Sequence, residues 1–356
     1  MKALQVFAGP RALAHLRQRG LRPLDVKVVA AAAGGPKGLA LIPIDRFVFG
    51  DWLAKSSNEI HLLGASIGAW RMACAMQDDS DRALAELAED YIVQHYPHAP
   101  GRAPTADIVT RVFGDHLRLR FGGRELTVLD HKRWRLHVFT SHGRGLLARE
   151  GRLRTTLGFM QATMANAISR RTMACSLRRV AFSDPRSLPP MDLRDFATQH
   201  VPLSQRNLTD SLLASCSIPF WFRAVHDIPG GPEGAYWDGG LTDYHLHLNF
   251  ASMADGLVLY PHFQSRLVPG WLDKPWHRRH LPTAALDNLI LLAPHPDWVR
   301  NLPGGKLPDR GDFKTFGDDE KGRARVWRQA LAESGRFADE FAEWLSRARI
   351  EAQPLA

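Results

Sequence analysis

The stretch Ile60-His61-Leu62-Leu63-Gly64-Ala65-Ser66-Ile67-Gly68-Ala69-Trp70-Arg71-Met72-Ala73-Cys74-Ala75-Met76 decides the fold. Ile60 to Leu63 is a short apolar run of strand type, and Ile67 to Met76 is apolar and long enough for a helix. Between them Gly64-Ala65-Ser66-Ile67-Gly68 fits G-x-S-x-G. A strand, a glycine turn and a helix are the context a nucleophile elbow requires. Such a turn strains Ser66, and a side chain at Gly64 or Gly68 would clash with nearby backbone. Ser66 then stands at a helix N-terminus, where unpaired N–H groups and the macrodipole favour developing negative charge. The plain alternative is a glycine-flanked turn capped by a serine.

The same grammar precedes it. Val26 to Ala33 is a continuous Val/Ala run suited to a strand buried on both faces. Gly34-Gly35-Pro36-Lys37-Gly38 follows as a turn, and Leu39 to Leu53 reads as a helix that Pro43 kinks or starts late. Strand, glycine turn and helix, twice over, predict an α/β fold with a parallel or mixed sheet covered by helices. The first turn is not a phosphate loop, because G-x-x-x-x-G-K-[ST] is absent and Leu39 stands beyond Lys37-Gly38. The dinucleotide pattern G-x-G-x-x-G is absent as well. Paired glycines that let N–H groups approach a ligand suit an oxyanion loop better.

Elsewhere, helices are expected at Ala12–Arg19, Asp81–Gln94, Phe159–Arg170 and Leu208–Ser215, and strands at Arg135–Ser141 and Gly256–Tyr260. Pro294 to Lys314 reads as an irregular surface connection. Asp319 to Ile350 reads as a long helix or helix pair, with Trp327, Leu331, Ala338, Phe341 and Leu345 on one face and Gly335 as its weak point.

The bulk numbers exclude several classes. With 45% hydrophobic and 23% charged residues the chain is globular, not disordered. Its formal charge of +9 favours anionic partners. The charge is spread out, and no zinc-finger or RNA-binding signature accompanies it, so nucleic acid is not expected. Cys74, Cys175 and Cys216 have no pair spacing and read as reduced thiols. Met1 to Gly20 contains Arg11, Arg17 and Arg19 without an uninterrupted apolar run, a poor signal peptide. No apolar stretch approaches the roughly 20 residues of a membrane span. A cytoplasmic location is the expectation.

A serine nucleophile needs a proton acceptor. Asp238-Gly239-Gly240, after Tyr236-Trp237, is one candidate turn. Histidines such as His245, His247, His262 and His295 keep a Ser-His-Asp esterase of the α/β-hydrolase type open.

Gly-Gly-x-Lys-Gly, then Gly-x-Ser-x-Gly, then Asp-Gly-Gly in the second half of the chain resembles the ordered motif set of the patatin-like phospholipases. Ala214-Ser215-Cys216-Ser217-Ile218-Pro219-Phe220-Trp221-Phe222 is similar to that family's small-residue helix end before proline and an aromatic. The four blocks span residues 28 to 245. The resemblance implies a mixed, mostly parallel central sheet with helices on both faces, followed by a C-terminal helical segment. It implies a lipid acyl hydrolase working through a Ser66–Asp238 dyad, with Gly34, Gly35 and Lys37 as the oxyanion loop. Ala33 stands where the family often has a third glycine. Residues 1–295 would form the catalytic domain, and 296–356 an irregular connection and helical appendix. A protein that keeps the fold, binds lipid and is catalytically silent is the other reading.

An aspartate serving as base needs a partly apolar setting, which Tyr236 and Trp237 are expected to supply. No cofactor or metal is expected: no ligand cluster has convincing spacing, and His245-x-His247 reads as strand alternation. Lys37 is either a loop-orienting or phosphate-attracting cation or a solvated side chain. Trp271 to His280, with Trp276 and Arg278-Arg279, is either a solvated loop or a transient contact with an anionic membrane surface.

Overall fold

The computed structural model describes residues 2–99, 101–347 and 351–355. Among them eleven strands form one sheet. These are β1 (Leu4–Ala8), β2 (Val26–Ala31), β3 (Ile60–Ala65), β4 (Trp134–Gly143), β5 (Leu177–Ser183) and β6 (Thr198–Pro202). The later ones are β7 (Val225–His226), β8 (Ala235–Trp237), β9 (Leu257–Pro261), β10 (Leu289–Pro294) and β11 (Gln353–Pro354). The strand order is β11-β1-β10-β9-β2-β3-β4-β5-β6. From β10 through β4 every neighbouring pair is parallel. Antiparallel pairing enters at β1 with β10 and at β5 with β4. The α/β class with a mixed, mostly parallel sheet is therefore as expected. Every residue of β3, β4, β9 and β10 is buried, so both faces of the central sheet are covered.

One pairing detail makes the site. On one edge of β4, β3 pairs as far as Ala65 opposite Phe139. Past that point β8 takes the same edge, antiparallel, with Trp237 opposite Ser141 and Tyr236 opposite His142. The residues that follow β3 and β8, Ser66 and Asp238, thus converge over Phe139.

Local sequence explains most elements. The first helix, Pro10–Arg19, opens with proline at its first turn and closes at Gly20 with φ 71°. The segment expected as one helix over Leu39–Leu53 is helical in three hydrogen-bonding patterns. A 3₁₀ stretch Gly35–Leu41 leads into the α-helix Ile42–Phe47 and a π-turn Val48–Trp52. Pro43 falls in the first turn of the α-helix, where its missing N–H is harmless, so it sets the start of that helix. Pro294–Lys314 departs from the irregular connection expected of it: it folds into the short helices Pro296–Arg300 and Gly311–Phe316, with Trp298, Leu302 and Leu307 buried. Helices of one or two turns are too short to show a period in sequence.

The C-terminal helical region is a pair, Glu320–Glu333 and Gly335–Ser346, broken at Ser334 before Gly335. The last three residues of the stretch read as helical, 348–350, lie outside the described residues. Trp327, Phe337, Phe341 and Trp344 from this pair belong to the same apolar core as the sheet. A second, smaller cluster, including Leu147, Phe159, Ala162, Trp237 and Leu241, lies under the helix Arg152–Ile168. Among the described residues no helix is long and apolar enough to cross a membrane.

Candidate active site

Ser66 sits between β3 and the helix Ile67–Ala75 with φ 55° and ψ −131°, a conformation few non-glycine residues adopt. The flanking glycines permit it. A methyl group on Gly64 would lie 2.4 Å from Ala69 Cα, and one on Gly68 would lie 2.0 Å from the Ala31 carbonyl oxygen. The elbow is pressed against the end of β2, where the Gly34–Gly38 loop begins. Ser66 is only 4% exposed.

The Ser66 hydroxyl donates to Asp238 Oδ2 at 2.8 Å. Asp238 Oδ1 accepts from the Gly240 N–H at 2.7 Å, which fixes the carboxylate plane. Ser215, at the end of the helix Leu208–Ser215, joins the two halves. Its hydroxyl donates to Phe139 O at 2.6 Å and accepts from Ser66 N at 2.8 Å, while its carbonyl accepts from Gly239 N at 3.0 Å. Gly239 has no room for a side chain, because a methyl group there would lie 2.0 Å from Phe139 O.

Burial is the main reason the Asp238 carboxyl is pushed up to about 6. The Arg310 guanidinium, the Ser66 hydroxyl and the Gly240 N–H act the other way. The fully buried Trp237 and Tyr236 precede it on β8. Cys216, buried beside the pair, is held protonated by that burial.

The Gly34–Gly38 loop lies between the elbow and the Asp-Gly-Gly turn. Ala33 donates its N–H to Tyr244 O at 3.0 Å, so this N–H is engaged. The N–H groups of Gly34 and Gly35 donate to no protein acceptor among the described residues. Gly35 has φ 56°. A methyl group on Gly34 would lie 2.4 Å from the ring of Phe263, and Lys37 Nζ stands 5.2 Å from the centroid of that same ring. Lys37 is thus half-buried against Phe263, and burial lowers its ammonium pKa below the usual lysine value.

A narrow pocket opens onto Asp238 between Ala33, Ile218, Pro219, Tyr244, Trp271 and Arg310. Two cations at or near it carry no motif. Arg310 reaches Gly35 so closely that a methyl group there would lie 3.1 Å from its Nε. Lys274 Nζ lies 4.4 Å above the ring of Tyr244. A larger depression beside β1 and β11, lined by Leu4, Glu340, Trp344 and Arg347, contains none of these groups.

The histidines kept open as bases are engaged elsewhere. His245 Nδ1 accepts from Val268 N at 2.9 Å, His262 Nδ1 pairs with the Gln264 backbone, and His247 Nε2 meets Thr283 Oγ1 at 3.1 Å. His295 caps the helix Pro296–Arg300 by accepting from Asp297 N. Burial lowers His262 to about 3 and His247 to about 4. Among the described residues no group of three or more His, Cys, Asp or Glu side chains is arranged to hold a metal ion.

The chain matches the model of the Patatin-like phospholipase family over residues 61–246, more than half of its 356 residues. That span holds Ser66, Ser215 and Asp238 and leaves the Gly34–Gly38 loop, Lys274 and Arg310 outside it. No curated protein matches the chain.

Proposed function

This chain belongs to the patatin-like phospholipases, a family of lipid acyl hydrolases, and we propose that it cleaves carboxylic esters of lipids with Ser66 as nucleophile and Asp238 as base. The observation that carries this reading is the 2.8 Å hydrogen bond from the strained Ser66 hydroxyl to a buried carboxylate. No other titratable side chain among the described residues hydrogen-bonds Asp238, which favours a dyad over a triad.

In the proposed reaction Ser66 Oγ bonds to the ester carbonyl carbon while its proton passes to Asp238 Oδ2. The carbonyl oxygen becomes an oxyanion held by the N–H groups of Gly34 and Gly35. Their lack of other acceptors is what suits them to this, since preorganised donors need no reorganisation as charge develops. Collapse breaks the ester C–O bond, and protonated Asp238 gives its proton to the leaving alcohol. Water then attacks the acyl-serine, losing a proton to Asp238. Collapse of that second intermediate returns the proton to Ser66 and frees the carboxylic acid. A base near 6 stays ionised at neutral pH and is stronger than an ordinary carboxylate.

We also assign Lys37 to holding the loop, since its ammonium lies over the Phe263 ring that packs on Gly34. The test is a panel of phospholipids, acylglycerols and short-chain esters run on wild type and Ser66→Ala, beside fluorophosphonate labelling. Wild type should label and turn over, and Ser66→Ala should do neither. A wild-type protein that binds lipid but neither labels nor hydrolyses any ester would make the chain a silent lipid binder.

A further inference from the structure

The helix Arg152–Ile168 is amphipathic the wrong way round for the surface of a protein in water. Its buried face is mostly small or polar: Thr155, Gly158, Phe159, Ala162 and Asn166. Its outer face carries Leu153, Leu157, Met160, Met164 and Ile168, at successive turns and each 51 to 79% exposed. Isolated exposed apolar side chains need no explanation, but a contiguous run of them marks an interaction surface.

The helix also touches the segment at the pocket mouth. Phe220, 62% exposed, lies against Phe159 with ring centroids 6.0 Å apart. It directly follows Ile218 and Pro219, which line the pocket, and is itself held at φ 70°. Trp221 beside it is also half exposed. At the far end of the helix, Asn166 donates to Asp273 Oδ1 at 2.9 Å and to Leu272 O at 3.1 Å. That packs the aromatic and basic segment 271–280, with exposed Trp276 and Arg278, against the C-terminal end of the helix.

Charge indicates what covers this face. The helix contains no Asp or Glu. Exposed Arg152 and Arg154 flank the run at one end and Arg171 at the other, and no ion pair with a carboxylate occupies any of them among the described residues. A second copy of the chain would bring the same unpaired arginines against these, whereas an anionic headgroup layer complements them.

We propose that the Leu153–Ile168 face seats the protein on an anionic lipid bilayer, its apolar side chains in the acyl boundary and its flanking arginines among the headgroup phosphates. The pocket mouth then opens directly onto the layer that holds the ester. The choice of lipid as occupant rests on the acyl hydrolase reading, so binding is measured separately from turnover.

The experiment uses the full chain carrying Ser66→Ala and sedimentation with vesicles of phosphatidylglycerol and phosphatidylcholine in equal parts, or of phosphatidylcholine alone. The mixed vesicles should bind the protein, the neutral ones much less. Met160→Glu with Met164→Glu should weaken binding about tenfold or more, because the apolar face no longer enters the interface. Arg152→Glu with Arg154→Glu should weaken it through charge alone, and circular dichroism checks both for folding. In the Ser66 background the same pairs should lower hydrolysis of vesicle phospholipid and leave a soluble short-chain ester untouched. Equal vesicle binding by folded Met160/Met164 variants, or no binding by the parent protein, would overturn the proposal. So would a dimer that the Met160/Met164 pair converts to monomer without any vesicle binding. If Ser66→Ala binds vesicles while retaining esterase activity, the nucleophile assignment fails and the docking face stands.

Discussion

Arg71 and Asp45 form a two-pronged ion pair, Nε to Oδ2 at 2.6 Å and Nη2 to Oδ1 at 2.8 Å, with both side chains wholly buried. Arg71 is on the helix that starts after Ser66, and Asp45 is on the helix that follows the Gly34–Gly38 loop. The pair therefore couples the helix after Ser66 to the loop that faces it. Arg71→Leu would strand a carboxylate whose pKa burial already raises, at about 3–5 kcal/mol of stability. Replacing both partners by leucine should recover much of this, since a matched apolar pair of similar volume is often neutral. Urea denaturation of the two variants beside wild type checks the order.

Ser66→Ala and Asp238→Asn should be nearly equally damaging, and the double variant no worse than either, because the members of the proposed dyad act as one unit. Folded variants at His245, His247, His262 and His295 should keep a sizeable fraction of ester turnover. A folded histidine variant that is inactive would restore the triad.

Gly35→Ala puts a side chain where φ is 56° and where Arg310 already stands within contact. Displacing an oxyanion donor costs about 2.7–4 kcal/mol in transition-state stabilisation. The variant should lose kcat with little change in KM for a short ester. Unchanged kcat would reduce the loop to a turn.

The rate should rise with pH through about 6, as Asp238 loses its proton and becomes able to accept one. Arg310 holds that value down, so Arg310→Gln should move the limb to higher pH. The direction of the shift is diagnostic even if kcat falls as well. A limb that does not move would place Arg310 out of reach of Asp238.

Stability should carry the opposite dependence. Asp238 binds its proton more tightly folded, near 6, than at its ordinary 3.8. The unfolded chain thus holds fewer protons between these values, and stability falls as pH rises through that window. Above it the penalty is complete, at most about 3 kcal/mol. Asp238→Asn should accordingly raise Tm at pH 7.5 and give little benefit at pH 3.5. Equal effects at both would mean that the carboxylate is not strained by burial.

The sheet's centre was readable in the sequence because its strands are short apolar runs closed by glycine turns. β2, β3 and the helix after Ser66 needed only local pattern. Leu4–Ala8 and Leu289–Pro294 carry no decisive signal, because brief apolar runs alone do not distinguish strand from other buried chain. At the site, Gly64, Ser66, Gly68 and Asp238 carried a motif, whereas Arg310 and Lys274 did not. Arg310 arrives beside Gly35 through packing alone: Trp327 Nε1 donates to Asp312 Oδ2 at 2.9 Å and anchors the short helix that follows Arg310. The helix Arg152–Ile168 misleads in a different way. Its apolar positions have the spacing of a core stripe, but Phe159 and the small residues take the inside.

Ser66 and Asp238 are separated by 172 positions, and Asp238 directly follows β8, a strand of three residues that is placed by pairing with β4 and β7. During synthesis Ser66 therefore leaves the ribosome long before Asp238 does. A nascent or truncated chain lacking β8 would possess the elbow without the means to activate it. On the proposed dyad, hydrolytic competence is in this sense an assembly signal: the chain would become reactive only once β8 has closed against β4, which would spare a half-made protein from attacking the lipids around it.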